Sequence, residues 1–241
     1  MKYLLDAVVI LIFLLAIIIG HKRGFIKTVT GIVAFIAALA VAALLNGTVA
    51  ALVYNNVIEP PLIETVEQQT AQAQGSAAEQ LDSVYESLPT ITKNLLTQAG
   101  IANGDDFTQN IPILSSSTSI AQSVASVVRS VLLPLLQAVC SLVLFVLAYI
   151  LANILLRALN IIAKLPLLKQ LNKSLGLIAG VLSGALWAML AVTVLQIVAA
   201  FGAADSAINL SVLGDTVVVN WLSSINPLSG ALQEVLNIHH Q

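Results

Sequence analysis

"GHKRGFIK", residues 20–27, interrupts what would otherwise be a single apolar run from Tyr3 to Val53. The mostly aliphatic stretch Tyr3–Ile19 precedes it and a longer one, Val29–Val53, follows it. As one helix, Tyr3–Val53 would be about 75 Å long at 1.5 Å per residue, against a bilayer hydrocarbon core of ~30 Å. Lys22, Arg23 and Lys27 would then lie near mid-membrane, where each cation costs roughly 2.5–3.5 kcal/mol. Breaking the run at 20–27 removes both difficulties. The stretch reads as the turn of a transmembrane hairpin.

Composition agrees. The chain is 58% hydrophobic and 9% charged, whereas soluble domains are about a quarter charged. It has too few charges to cover its own surface in water. Four segments reach the ~20 residues a spanning helix needs: Tyr3–Gly20, Thr28–Val53, Val131–Leu156 and Ser174–Ala200. Backbone groups must stay paired in lipid, and these runs lack the period-two alternation of barrel strands, so they are read as helices. The expected fold is an all-α integral membrane protein with four transmembrane helices, an extracytoplasmic helical insert and a C-terminal amphipathic segment. Its parts are a hairpin (3–53), an acidic insert (54–128), spans three and four with a basic loop (129–200) and a tail (201–241). The first span follows Lys2 as a signal peptide would. Gly-His-Lys-Arg after Ile19 offers no small-x-small cleavage site, however, and a second span follows at once, so an uncleaved anchor is expected. The single Cys140 excludes an internal disulfide framework and a multi-cysteine metal site.

Charge is distributed unevenly along the chain. Lys22, Arg23 and Lys27 occupy the first link without an acid, and Arg157, Lys164, Lys169 and Lys173 occupy the link between spans three and four, again without one. Residues 54–128 hold eight carboxylates, from Glu59 to Asp106, against Lys93 alone, and the tail after Ala200 has no Lys or Arg. The positive-inside rule places the two basic links in the cytoplasm and both termini and the acidic insert outside. The seven cations are therefore topology determinants that contact anionic headgroups. A nucleic-acid patch would need more cations and interleaved aromatics, so no nucleic-acid partner is expected. His21 has no second His or Cys near it and reads as an interfacial side chain.

The insert changes character at Glu59-Pro60-Pro61 and becomes rich in Gln, Ala, Ser and Thr. Val66, Ala73, Ala77, Leu81, Val84 and Leu88 recur near helical spacing, which predicts one or two amphipathic helices. "SSSTSIAQSVASVVRSV" reads as a helix start whose stripe, Ile120, Val124, Val127 and Val131, feeds the third span. "NGDD" (103–106) lacks the spaced acids of a calcium loop. In the tail, Val212, Leu213, Val217, Val218, Trp221 and Leu222 form one expected face, with Trp221 at headgroup depth and a break at "INPL" (225–228). "RALNIIAKLPLLKQLNK" (157–173) has the composition of a helix lying in the cytoplasmic interface.

"GLIAGVLSG" sets Gly176, Gly180 and Gly184 at four-residue steps. Gly20 and Gly24 repeat the step, and Gly31 sits seven further on. Such spacing permits close helix approach: within the chain, between subunits, or around a pore. The ionisable residues near the spans, Asp6, Arg129 and Arg157, all lie close to helix ends. There is no HExxH pair, no Walker sequence and no histidine within the spans to serve as base for Ser183 or Cys140. No enzymatic activity, cofactor or metal site is expected.

"LLDAVVILIFLLAIIIGHKRGFIKTVTGIVAFIAALAVA" resembles the opening of the colicin V production protein (CvpA) family: an Asp heading the first span, then Gly-x-x-basic-Gly-Phe and a second span. The matching positions are Asp6, Gly20, Arg23, Gly24 and Phe25. The late "LNKSLGLIAGVLSGALWAML" is similar to the family's glycine-rich helix, with Gly176, Gly180 and Gly184 as its matches, and "INP" in the tail is similar too. The likeness covers residues 4–50 and 130–228, and the acidic segment departs from the shorter-loop members. The resemblance implies a four-span protein of the bacterial cytoplasmic membrane, linked to colicin V production or export and more loosely to envelope homeostasis. The lipid bilayer is its implied surrounding, and a second copy or other membrane proteins are its candidate partners. A small channel or transporter is the other reading.

Overall fold

The apolar segments are helices in the computed structural model, which describes residues 2–72, 77–98, 100–110, 117–158, 169–201 and 208–226. No strand occurs among them. Helices α1 (Lys2–Arg23) and α2 (Phe25–Val53) are separated by Gly24 alone. Gly24 has φ 81°, a left-handed conformation that a Cβ disfavours. Its N–H still donates to the Gly20 carbonyl at 2.9 Å, and the Thr28 hydroxyl donates to the Gly24 carbonyl at 2.8 Å. The link read from sequence as residues 20–27 thus narrows to one residue, and its cations sit on the helical turns beside it.

Helix α2 does not end at the expected polar boundary. It passes into a π-helical turn (Tyr54–Ile58) and then α3 (Glu59–Gln72). Pro60 and Pro61 were expected to mark a change, yet they occupy the first turn of α3. The helix is continuous there from Phe25 to Ala71, and the π-helical turn just before the prolines, where the Glu59 N–H reaches back to the Tyr54 carbonyl, already interrupts the regular ladder. After α3 come α4 (Ala77–Ser87), α5 (Thr90–Gln98), α6 (Gly104–Asn110), α7 (Ser117–Ala158), α8 (Lys169–Phe201), α9 (Leu210–Gly214) and α10 (Val218–Ile225). The four stretches long and apolar enough to cross a membrane are Lys2–Arg23, Phe25–Ala71, Ile120–Leu156 and Ser174–Phe201. The chain is an all-α integral membrane protein.

The chain divides into two compact units. The first comprises Met1–Asn46, Val139–Ala199 and Ala207–Ser229. One of its cores is aromatic: Phe35 on α2 meets Phe145 at 4.8 Å and Trp187 at 5.6 Å between ring centroids, and Tyr149 stacks on Phe145. The other joins Leu5 and Val9 of α1, Val192 of α8 and Leu213, Val219 and Leu222 of the tail. The described part of the tail, residues 208–226, forms two short helices, and the break between them resets the face. Leu213 and Leu222 are buried as expected and Val219 joins them, whereas Val217 and Trp221 are 73% and 62% exposed.

The second unit comprises Gly47–Ala138, Ala200–Ser206 and Gly230–Gln241. Tyr54, fully buried, donates its hydroxyl to the Ala125 carbonyl at 2.8 Å. Arg129 lies over the Tyr54 ring at 5.1 Å and donates to Asn55 Oδ1 at 2.8 Å. Val66, Leu81, Val84 and Leu88 are buried, as their spacing predicts, and so are Ile120, Val124 and Val131 on α7. Ala73 and the side chain of Ala77 lie outside the described residues. "NGDD" caps α6: Asn103 Oδ1 accepts from the Asp106 N–H at 2.8 Å, and Asp106 Oδ2 accepts from the Ala102 N–H at 3.1 Å.

Candidate functional site

The first unit brings together two features, one built around Asp6 and the other around Arg23 and Lys27. Asp6 lies in the second turn of α1, where an exposed carboxylate would face hydrocarbon or headgroups. It is instead 8% exposed, and its oxygens accept three backbone N–H bonds: Val217 at 3.1 Å, Val218 at 3.0 Å and Val219 at 3.1 Å. These are donors that the start of α10 leaves without intrahelical partners, so Asp6 is the cap of a helix distant in sequence. The other end of α10 is tied down as well. Asn226 Nδ2 donates to the Met189 carbonyl and to Thr193 Oγ1, both at 2.9 Å. Two polar residues thus fasten the tail to α1 and α8. Close to the same stretch of α8, Gln196 is buried and its Oε1 has no hydrogen-bond partner among the described residues.

Below the tail, α1 and α8 touch backbone to backbone. A Cβ on Gly20 would come 2.5 Å from Gly180 Cα, and one on Gly176 would come 2.8 Å from the Gly20 carbonyl and 2.9 Å from Gly24 Cα. One on Gly184 would come 3.0 Å from Phe13. Gly20, Gly24, Gly176, Gly180 and Gly184 are thus gathered at one helix crossing, where larger residues would hold the helices apart. Gly31 is not part of it: its Cβ position has nothing within 4 Å. The helix breaks at Gly24, so the seven-residue step from Gly24 to Gly31 carries no facial register.

Gly31 lines a half-open cleft of about 410 Å³ between α1, α2 and α8, with Tyr149 of α7 also in its lining. Arg23 and Lys27 stand at one end, and Phe35, Tyr149 and Trp187 line the other. Neither cation is in an ion pair among the described residues, and no carboxylate lines the cleft. Lys22 lies on the exposed last turn of α1, and Phe25, 37% exposed, begins α2. Arg157 lies in the last turn of α7, Lys169 and Lys173 lie on the first turns of α8, and Lys164 is outside the described residues. The expected interfacial helix over 157–173 falls largely outside them too. Sequence reading missed the aromatic floor, because Phe35, Phe145, Tyr149 and Trp187 come from three helices and share no spacing.

Four membrane-crossing helices, a glycine-lined crossing and a tail tied to the first span define a polytopic helical membrane protein. Residues 5–75 match the family model described as colicin V production protein. That stretch contains Asp6, Gly20, Arg23, Gly24 and Phe25, the positions that carry the resemblance, and it runs on through α3. The match does not extend to the glycine-rich α8 or to the tail. No curated protein and no solved structure matches the chain.

Proposed function

We propose that the protein is an accessory component of the bacterial cytoplasmic membrane that supports peptide-toxin production or export, or envelope homeostasis. It acts through helix packing with a second copy or with other membrane proteins. The match of residues 5–75 to the colicin V production family carries this reading. The glycines of α1 and α8 are engaged with each other inside one chain, so such packing uses other helix faces. The basic turn at Gly24 faces the cytoplasm in this proposal, because Lys22, Arg23 and Lys27 obey the positive-inside rule. Both termini and the acidic insert then lie outside. Deleting the gene from its own host is expected to lower secretion of a peptide toxin or to sensitise the cell to envelope stress, with restoration by the wild-type chain. Normal secretion together with normal stress tolerance overturns the proposal.

A small oligomeric channel or transporter is the second reading, favoured by the cleft between α1, α2 and α8. Solute flux in proteoliposomes decides it: vesicles carrying the purified protein that pass no solute faster than empty ones dispose of the idea.

A further inference from the structure

We propose that the cleft between α1, α2 and α8 holds one anionic phospholipid, its phosphate against Arg23 and Lys27 and an acyl chain laid toward Phe35, Tyr149 and Trp187. The inference rests on the reading of the four helices as membrane spans.

Three observations support it. The first is charge. Two cations stand at one end of the cleft with no carboxylate in its lining and no ion pair to either among the described residues, so the site favours an anion and leaves it unopposed. The second is length. Along α1 the lining runs from Arg23 to Ile12, a rise of about 16 Å at 1.5 Å per residue. That is half of a ~30 Å hydrocarbon core, or the depth of one leaflet. The third is the gradient of polarity. The cations mark the interface, where long basic side chains reach headgroups, and the far end is aromatic, with Phe35 2% exposed and Tyr149 and Trp187 half-buried. An amphiphile with an anionic head and a single-leaflet tail matches this order. The furrow between α2 and α7 around Val41, Leu147 and Leu151 is a useful contrast: it is apolar throughout and has no group with which to select a headgroup.

Gly31 allows the groove to be tested apart from the charges. It lines the cleft, and a side chain there starts in open space, so Gly31→Leu fills the groove without disturbing the helix crossing. The purified full chain is titrated in neutral detergent with phosphatidylglycerol and with phosphatidylcholine, and bound lipid is read by native mass spectrometry. Phosphatidylglycerol is expected to bind in preference. The double variant Arg23→Gln/Lys27→Gln is expected to weaken it about thirtyfold, at the contribution typical of two interfacial cations. Gly31→Leu is expected to weaken it with both charges intact. Equal binding of the two lipids overturns the proposal. Full binding to Gly31→Leu also overturns it, since the headgroup is then held by surface charge alone. Displacement of the lipid by glycerol phosphate at equal concentration overturns it in favour of a small-phosphate site. Alkaline carbonate extraction separates the two levels: release of the chain from membranes defeats the spanning reading, whereas retention without lipid preference defeats this proposal only.

Discussion

The crossing of α1 and α8 and the pairing of α4 with α6 bring two helices together with different side chains. At the first, the contact is made by what is missing: Gly20, Gly176 and Gly180 let two backbones meet. At the second, large side chains are buried, although Gly104 of α6 also stands close to α4: its Cβ would come 3.2 Å from Asp82 Cα. Leu81, Val84 and Phe107 are fully buried, and Tyr85 packs on Phe107 at 5.5 Å. Lipid tails are as apolar as leucine, so helices within a bilayer gain little by burying large side chains against one another and rely on close approach and hydrogen bonds. In water the same burial is the main driving force. Adding bulk at Gly20 and removing it at Phe107 should therefore both be costly.

The largest effect is expected from Gly20→Leu, whose first added carbon already meets Gly180 Cα. Such overpacking costs 1–3 kcal/mol or more, and with backbone on the other side there is no side chain to yield. Loss of monodisperse protein from detergent chromatography is the readout. Next comes Phe107→Ala, expected to destabilise the α4–α6 pairing by about 3–4 kcal/mol, seen as faster proteolysis within residues 77–110. Asp6→Ala leaves the Val217, Val218 and Val219 N–H groups without their acceptor and should cost about 2 kcal/mol. The tail would become protease-sensitive while the glycine crossing survives, and Asp6→Asn should recover part of the loss. The smallest effect is expected from Leu44→Ala. Leu44 is 79% exposed on a span, and trading it for a smaller apolar group should change thermal stability by less than about 0.5 kcal/mol. A large loss there would mean that Leu44 is covered by something other than lipid.

Much of the fold was legible because bilayer thickness converts directly into residue count. All four spans were legible, the first and fourth close to their observed limits, whereas the second helix runs on to Ala71 and the third begins by Ile120; the hairpin followed from where three cations could not be left. The glycine spacing on α8 pointed to a close contact, though not to its partner. What could not be read depended on distant chain segments meeting. Asp6 looked like an isolated acid near a helix end, because its partners are backbone N–H groups that any residue other than proline supplies. The same holds for Asn226, whose partners lie on α8. Gly31 was assigned to the packing stripe by counting across Gly24, where the helix is interrupted. Pro60-Pro61 read as a boundary because helix interiors exclude proline, yet a π-helical turn places both where that rule relaxes.

The carboxylate that holds the tail has a consequence for biogenesis. Asp6 and the first of its N–H donors, Val217, are 211 residues apart, so at 5–20 residues per second about 10–40 s of synthesis separate them. Through that interval the first span is already in the bilayer with an acid near its end and no protein donor to meet it. The nascent chain must tolerate this by leaving the group in water or by lending it a temporary neighbour such as the insertion machinery. Closure of the bundle is thereby deferred until α10 emerges, and a ribosome stalled shortly before Val217 should leave a threaded but unlatched intermediate.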